Sequence, residues 1–322
     1  MDEDDASDVE NGEDNQEDNQ EEEEEEEEEE EYEAVELRPL SQDIIIPGLS
    51  LLCRTGNGLR HAFIKVVLSD KGLSDIVAIS NYIHLRFMDV SSNRISDLSP
   101  LASLTQLLWL KVDRNIVTYF QGQAFAQLAY LQWLSMAGNR LTDVDGLVGP
   151  SLESLILSEN RIQTINGLES GHFSKLVTLE LRGNRLSTTK GINLPNLQRL
   201  YLAQNAIKSL EGLDQLQSLT TLHLRKNKLA NVDGLSSEMK CLQYLNIRSN
   251  DILDETCLRS LGQVSKTLRV LILSENPLDG NADYRPYVLT LIPNLERLDK
   301  EPVSLEERAE VWKAVKELNE DG

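Results

Sequence analysis

The side chains that most often carry out chemistry are scattered along this chain rather than grouped. Four histidines are present, and none forms an HExxH motif or stands at metal-ligand spacing from a cysteine. The nucleophile motif G-x-S-x-G, the protein-kinase loops and the P-loop are also absent from the sequence. We therefore expect a non-enzymatic protein with no catalytic residues, no metal and no cofactor.

One glycine-rich stretch superficially resembles a phosphate-binding loop. In Gly56-Asn57-Gly58 the third glycine of a GxGxxG motif is missing, because His61 stands in its place. No strand is predicted before this stretch, and no P-loop lysine follows it. The segment is therefore predicted to be a turn without a nucleotide-binding role.

The charge of the chain is concentrated at one end. The formal net charge is −23, from 31 basic and 54 acidic residues. Residues 1–36 hold 23 acidic side chains and no Lys or Arg, so the remainder carries 54 − 23 = 31 acidic against 31 basic residues. A glutamate block of this kind repels itself, and residues 1–39 are predicted to be a disordered acidic tail. Either it is a solvated tail or it attracts a basic partner. The neutral remainder argues against nucleic-acid binding.

Two further compositional features bear on localisation. No apolar stretch is long enough to cross a membrane, and no signal peptide is predicted. Three cysteines, Cys53, Cys241 and Cys257, are too few and too scattered for a disulfide framework. These features favour a reducing, intracellular compartment and a protein without membrane contact.

An internal repeat dominates the sequence. Nine segments fit L-x-x-L-x-L-x-x-N with conservative replacements, and their final asparagines are 21 to 26 residues apart. A degenerate earlier copy runs from Phe63 through Val66 and Leu68 to Lys71. This is leucine-rich-repeat spacing. The asparagines are predicted to form a structural ladder that satisfies backbone groups of neighbouring repeats: Asn93, Asn115, Asn139, Asn160, Asn184, Asn205, Asn227, Asn250 and Asn276.

The repeat predicts an α/β solenoid, a horseshoe with a parallel sheet on its concave face. About ten residues follow each asparagine, which leaves room only for turns and short 3-10 segments on the convex face. This repeat length is typical of the phosphatase-regulator-like subclass. Helical caps are expected at both ends: residues 40–72 with the degenerate repeat, then repeats over 73–276, a C-terminal cap over 277–300 and a helix and tail over 301–322. In the first cap, Asp43 to Leu52 is compatible with a short helix. Ser304 and Glu307 form a predicted capping box at the start of the last helix, on which Val311, Trp312, Val315 and Leu318 are expected to form an apolar stripe.

Function is predicted to lie on the concave face. Strand positions three, five and seven should point out of the core, which places Phe87, Trp109 and Trp133 in one row and arginines and tyrosines along later repeats. Aromatic residues and arginine are enriched at interface hot spots. The predicted protein-binding residues are Phe87, Asp89, Trp109, Lys111, Trp133, Glu180, Arg182, Arg199, Tyr201, His223, Arg225, Tyr244 and Arg248.

Beyond the repeat itself, the variable positions resemble one family, that of leucine-rich repeat-containing protein 23. The resemblance runs from about residue 40 to about residue 299. It rests on the segments GLSLLCRTGNG (48–58), YIHLR (82–86), LLWLK (107–111), LELRGN (179–184), GINLP (191–195), YLAQN (201–205), LTTLHLR (219–225), LQYLN (242–246) and LERLDK (295–300). The uninterrupted polyglutamate and the early end of the chain depart from the family pattern.

This resemblance implies a structural component of the axoneme in the third radial spoke of motile cilia and sperm flagella. There the protein would brace the spoke head and neck, within a large multi-protein complex of the cytoplasmic cytoskeleton, and support motility. Two other readings of the residues stay open: a phosphatase-regulatory or other intracellular protein-binding adaptor, and an acidic nuclear chaperone for basic partners.

Overall fold

The computed structural model describes residues 37–56, 58–280 and 284–320, without the side chains of residues 314, 315 and 317–320. The chain divides into two units, Met1–Arg38 and Pro39–Gly322, and the fold below is that of the second unit. The predicted acidic tail lies almost entirely outside the described residues, as does Asn57 of the glycine-rich turn.

The described chain forms a thirteen-stranded sheet whose strands follow one another in sequence order. Strands β2 to β12 pair in parallel, and an antiparallel hairpin stands at each end. The predicted leucine-rich-repeat solenoid is confirmed. The strands are β1 Leu49–Arg54, β2 His61–Val67, β3 Phe87–Asp89, β4 Trp109–Lys111, β5 Trp133–Ser135, β6 Ser154–Ile156, β7 Thr178–Glu180, β8 Arg199–Tyr201, β9 Thr221–His223, β10 Tyr244–Asn246, β11 Val270–Ile272, β12 Arg297–Leu298 and β13 Glu301–Pro302.

The core is a continuous stack of repeat leucines. In β4, for example, Leu110 is fully buried while Trp109 and Lys111 on either side are half-buried, because successive strand side chains point to opposite faces. The first motif leucines, such as Leu107, are also fully buried. No single repeat can cover these side chains, so stability depends on stacking against the next repeat.

The predicted asparagine ladder is present in all nine repeats. In a central copy, Asn184 Oδ1 accepts a hydrogen bond from Ile162 N at 3.0 Å. Its Nδ2 donates to Leu157 O at 2.9 Å and to Leu181 O at 3.0 Å. Each amide thus joins its own strand end to the preceding repeat. Eight of the nine asparagines are buried, and Asn205 is half-buried.

The convex face is built from turns and short 3-10 segments, as predicted. The loop after each asparagine returns over only about ten residues, so long helices do not fit. The 3-10 segments are Val77–Asn81, Ser99–Ser103, Ala124–Gln127, Leu213–Gln215, Glu255–Val264 and Pro277–Gly280.

The N-terminal cap differs from expectation in its details. Helix α1 (Gln42–Gly48) ends where β1 begins, although a helix was expected to reach residue 52. Gly48 must be glycine, because an added Cβ would lie 2.4 Å from the carbonyl oxygen of Val67. The glycine-rich turn does follow a strand, contrary to the prediction. That strand turns back into antiparallel β2 rather than into a helix, so the segment still lacks phosphate-loop topology.

The first residue of the degenerate repeat is also placed differently from expectation. Val66 and Leu68 are fully buried, but Phe63 is 41% exposed. It pairs across the hairpin with Leu52, which is 58% exposed. β2 is longer than the strands of the later repeats, and its first residues, including Phe63, lie outside the solenoid core.

The C-terminal cap contains helices α2 (Tyr284–Leu291) and α3 (Leu305–Glu320). Asp299 closes the last full repeat, because its Oδ1 accepts from the backbone N–H groups of Leu273 and Ser274 at 2.7 Å each. The predicted capping box is present: Glu307 N donates to Ser304 Oγ at 3.1 Å, and Ser304 N donates to Glu307 Oε2 at 3.4 Å.

The apolar stripe expected on the last helix is only partly correct. Val311 packs against the core, whereas Trp312 is 59% exposed, since consecutive helical residues point about 100° apart. The side chains of Val315 and Leu318 lie outside the described residues.

Candidate protein-binding face

The in-register pairing of the strands arranges concave side chains into rows. Phe87 pairs with Trp109, and Trp109 pairs with Trp133. Within a parallel sheet, adjacent strands lie about 4.8 Å apart. Side chains at the same motif position therefore contact across repeats, and a repeated residue type becomes a continuous surface.

The aromatic row lies on β3, β4 and β5. The Trp109 and Trp133 rings stack with centroids 4.5 Å apart and planes 5° from parallel. Both indoles are half-buried. The row ends at Ser154, the register partner of Trp133 on β6. These two rings form a flat, preorganised apolar surface of the kind that anchors protein interfaces.

A cleft of about 370 Å³ adjoins this row at its N-terminal end. Leu51, Val67, Phe87 and Trp109 are among the side chains that line it. Leu51 is 54% exposed and has a φ of 58°, in the left-handed region. The hairpin thereby extends the apolar surface beyond the repeats, a contribution that the repeat pattern did not indicate.

The charged residues beside the aromatic row are held by local hydrogen bonds and by one ion pair. Asp89 Oδ1 accepts from the backbone N–H and the hydroxyl of Ser91, at 2.9 and 2.6 Å. Lys111 Nζ lies 3.7 Å from Asp113 Oδ2. Asp113 in turn accepts from Ser135 Oγ at 2.5 Å. This network fixes the polar border of the row.

A second aromatic group lies on β8, β9 and β10. The His223 ring lies between Tyr201 and Tyr244, with centroid distances of 4.9 and 4.8 Å. Burial lowers the pKa of His223 below its ordinary value of 6.5. The imidazole is therefore neutral at pH 7, and the three rings form an uncharged platform.

The arginines near this platform have different partners. Arg182 Nε donates to Gln204 Oε1 at 2.5 Å. Arg199 Nε donates to Thr178 Oγ1 at 3.0 Å. Arg248 forms an ion pair with Glu275. Among the described residues, the Nε of half-buried Arg225 is buried without a hydrogen-bond partner.

Two carboxylates on this face have shifted pKa values of opposite sign. Hydrogen bonds from Arg248 and Ser249 lower the pKa of Glu275 to about 2. Burial raises the pKa of Glu180. Among the described residues, no hydrogen bond to its carboxylate offsets this effect. Glu275 is thus bound into an internal pair, and Glu180 is a partly desolvated acid.

All thirteen predicted binding residues lie on this face, in two separate groups. Phe87, Asp89, Trp109, Lys111 and Trp133 form the first, and the other eight lie on β7 to β10 or within two residues after these strands. Sequence reasoning considered only strand positions three, five and seven. It missed position eight, immediately before each asparagine, where Gln204, Lys226 and Glu275 have positive φ and two of them engage concave arginines. Position eight could have been identified from the sequence, because it always immediately precedes the ladder asparagine.

Two other kinds of site do not occur in the described residues. These residues contain no group of three or more His, Cys, Asp or Glu side chains that could hold a metal ion. In the same part of the chain, none of the helices has the length and apolar character that crossing a membrane requires.

Comparisons with solved structures agree with this architecture. The functional domain of InlJ from Listeria monocytogenes is 24% identical over 73% of this chain and 52% of its own, with a TM-score of 0.50. The structure described as a TLR13–ssRNA13 complex is 25% identical over 72% of this chain and 38% of its own, with a TM-score of 0.59. These similarities concern the solenoid fold.

Comparisons of sequence are more specific. Two family profiles, both described as leucine-rich repeat, match residues 83–141 and 177–320. Leucine-rich repeat-containing protein 23 of Bos taurus is 47% identical over 84% of this chain and 78% of its own length. The Homo sapiens protein of that name gives the same values, and the Xenopus tropicalis protein is 44% identical over 88% and 80%. The chain therefore belongs to the leucine-rich repeat-containing protein 23 family.

Proposed function

We propose that this chain is a non-enzymatic scaffold of the motile-cilium axoneme, where it braces the head and neck of the third radial spoke. In this role the solenoid holds a spoke protein against its concave face and supports ciliary and sperm flagellar motility. A repeat solenoid suits such a role because it presents an extended surface that needs little rearrangement on binding.

The observation that carries the binding role is the stacked Trp109–Trp133 pair. Strand position three points away from the core, so folding does not require large aromatic side chains there. Rigid aromatic anchors of this type contribute strongly to interfaces.

The ciliary address has a different support. Its support is the resemblance to the family, carried by variable segments such as residues 48–58 and 219–225. The concave face is compatible with other intracellular protein partners, including a phosphatase, and the experiment below separates these cases.

The test is a pull-down from detergent-stripped motile cilia with the full chain as bait. The double variant Trp109→Ala/Trp133→Ala is compared with the wild type and with Trp312→Ala. Trp312 is a matched control, because it is an exposed tryptophan on α3, outside the sheet. Loss of two interface anchors is expected to remove most of the recovered partner.

Recovery of spoke-head or spoke-neck proteins by the wild type and by Trp312→Ala, but not by the double variant, supports both the address and the face. Recovery by all three proteins removes the aromatic row from the binding site. Recovery of a phosphatase instead of axonemal proteins replaces the spoke role with the regulatory one.

A further inference from the structure

A groove of about 630 Å³ crosses the later repeats of the concave face. It runs over β7 to β10, away from the stacked tryptophans on β4 and β5. Its lining includes the charged residues Glu180, Arg182, Arg225 and Lys226. Three cations and one acid give the groove a positive balance in a chain of strongly negative net charge.

Among these cations, Arg225 carries a buried donor without a partner. Its Nε is buried and has no hydrogen-bond partner among the described residues, and a buried donor without a partner is costly. Glu275 is near enough for Arg225 to help lower its pKa. However, the two Glu275 oxygens already accept from Arg248 and Ser249. Nε itself is buried, so an external acceptor would contact the terminal N–H groups of the Arg225 guanidinium, which Glu275 does not engage in a hydrogen bond.

The floor beside Arg225 is the Tyr201–His223 stack, continued by Tyr244. Because the His223 ring lies between the two tyrosine rings, the platform presents apolar ring edges rather than charge to the groove. A bound segment can therefore place apolar side chains on the rings while its anionic side chains reach the arginines.

From this juxtaposition we infer that the groove binds an acidic segment of a partner protein in extended conformation, with one carboxylate at Arg225 and a second at Arg182. The inference rests on the proposed function, since it assigns a ligand class to part of the same face. Arg182 and Arg225 follow β7 and β9, two strand spacings or roughly 10 Å apart. Carboxylates three residues apart in an extended segment of polyproline II type, with three residues per turn and a rise of about 3.1 Å per residue, lie on one side of the chain and span about the same distance.

Separate single charges suit this groove better than one phosphate does. A dianionic phosphate binds most strongly where several guanidinium groups converge on one point. Here the two arginines are spread along the groove, and Arg248 is engaged by Glu275. Glu180 also lies in the lining and repels a concentrated negative charge.

The experiment measures binding of a fluorescein-labelled peptide of four Glu-Val-Thr triplets to the full chain by fluorescence anisotropy at low salt. The variants are Arg225→Gln, Arg225→Lys and Arg259→Gln. Arg259 is the matched control, because it is an exposed arginine in the 3-10 segment Glu255–Val264 on the convex face. Peptides of Gln-Val-Thr and phosphoSer-Val-Thr triplets and a twelve-residue oligouridylate test the other ligand classes.

We expect Arg225→Gln to weaken binding of the glutamate peptide about tenfold, Arg225→Lys to weaken it less, and Arg259→Gln to change it less than twofold. The glutamine peptide should bind at least tenfold more weakly than the glutamate peptide. Equal effects of Arg225→Gln and Arg259→Gln, or no binding of the glutamate peptide, overturn the inference.

Tighter, Arg225-dependent binding of the phosphopeptide or of the oligouridylate also overturns it and assigns the groove to that ligand. None of these outcomes touches the Trp109–Trp133 pull-down, so the two proposals fail independently. Matching circular dichroism spectra and melting curves establish that each variant is folded.

Discussion

Replacing a buried ladder asparagine should cost far more stability than replacing the half-buried one. We compare Asn184→Ala with Asn205→Ala, two neighbours in the ladder with the same bonding pattern. Asn205 Oδ1 accepts from Leu186 N at 3.0 Å, and its Nδ2 donates to Leu181 O at 2.9 Å and to Leu202 O at 3.1 Å. The two sites differ in exposure, since only Asn184 is buried, at 7%.

The magnitude follows from the groups that each substitution leaves without partners. Asn184→Ala strands one N–H and two carbonyl groups in the solenoid interior. At about 1–3 kcal/mol for each buried unsatisfied group, and with some relief from local relaxation, the loss is about 3–6 kcal/mol. At position 205 water reaches the same groups, so the expected loss is about 1–2 kcal/mol.

Urea unfolding followed by far-ultraviolet circular dichroism measures the difference. The midpoint should fall further for Asn184→Ala, with the slope of free energy against urea concentration unchanged. Equal losses at the two positions, or a larger loss at position 205, would refute the argument that burial of the amide makes the ladder stabilising.

Two further predictions concern the backbone and the C-terminal cap. Gly191→Ala should lower the free energy of unfolding by about 2 kcal/mol or more, because φ is +100° and the new Cβ would lie 2.1 Å from a carbonyl oxygen of the preceding repeat. The control is Gly171→Ala, which has open space at its Cβ. It should change the free energy of unfolding by less than about 1 kcal/mol in the same urea assay. The hydrogen bond from Arg285 lowers the pKa of Glu307 below its ordinary value of 4.5, so this contact stabilises the cap above about pH 4.5 and is lost as the pH falls through the lowered value. Hydrogen exchange of α3, corrected for the intrinsic effect of pH, should show a loss of protection at acid pH in the wild type and in Glu306→Gln but not in Glu307→Gln. The same loss of protection in Glu307→Gln would assign the effect to another group.

The repeat could be predicted closely because its cause is local. Motif leucines recur at fixed positions, and each strand needs only its neighbours to bury them, so residue spacing alone determines the sheet order and register. The same logic located the asparagine ladder and the capping box of Ser304 and Glu307. It also placed Trp109 and Trp133 in one row, since identical motif positions meet in register.

The caps were harder to predict because they break the period. Phe63 occupies a motif position that is buried elsewhere, yet it is exposed because β2 is paired with β1 in a hairpin. The motif carries no information about that pairing. Trp312 likewise follows the apolar spacing of its helix but points away from the core.

By itself, the sequence determined the solenoid, the rows of outward side chains and the family of this protein. Only the tertiary structure decided which concave charges are available for binding. Arg225 and Arg248 occupy the same motif position, but Glu275, 27 residues from Arg248, pairs with one of them and leaves the other without a hydrogen-bonded acid among the described residues. Such pairings depend on side-chain geometry between repeats, which residue type and spacing do not specify.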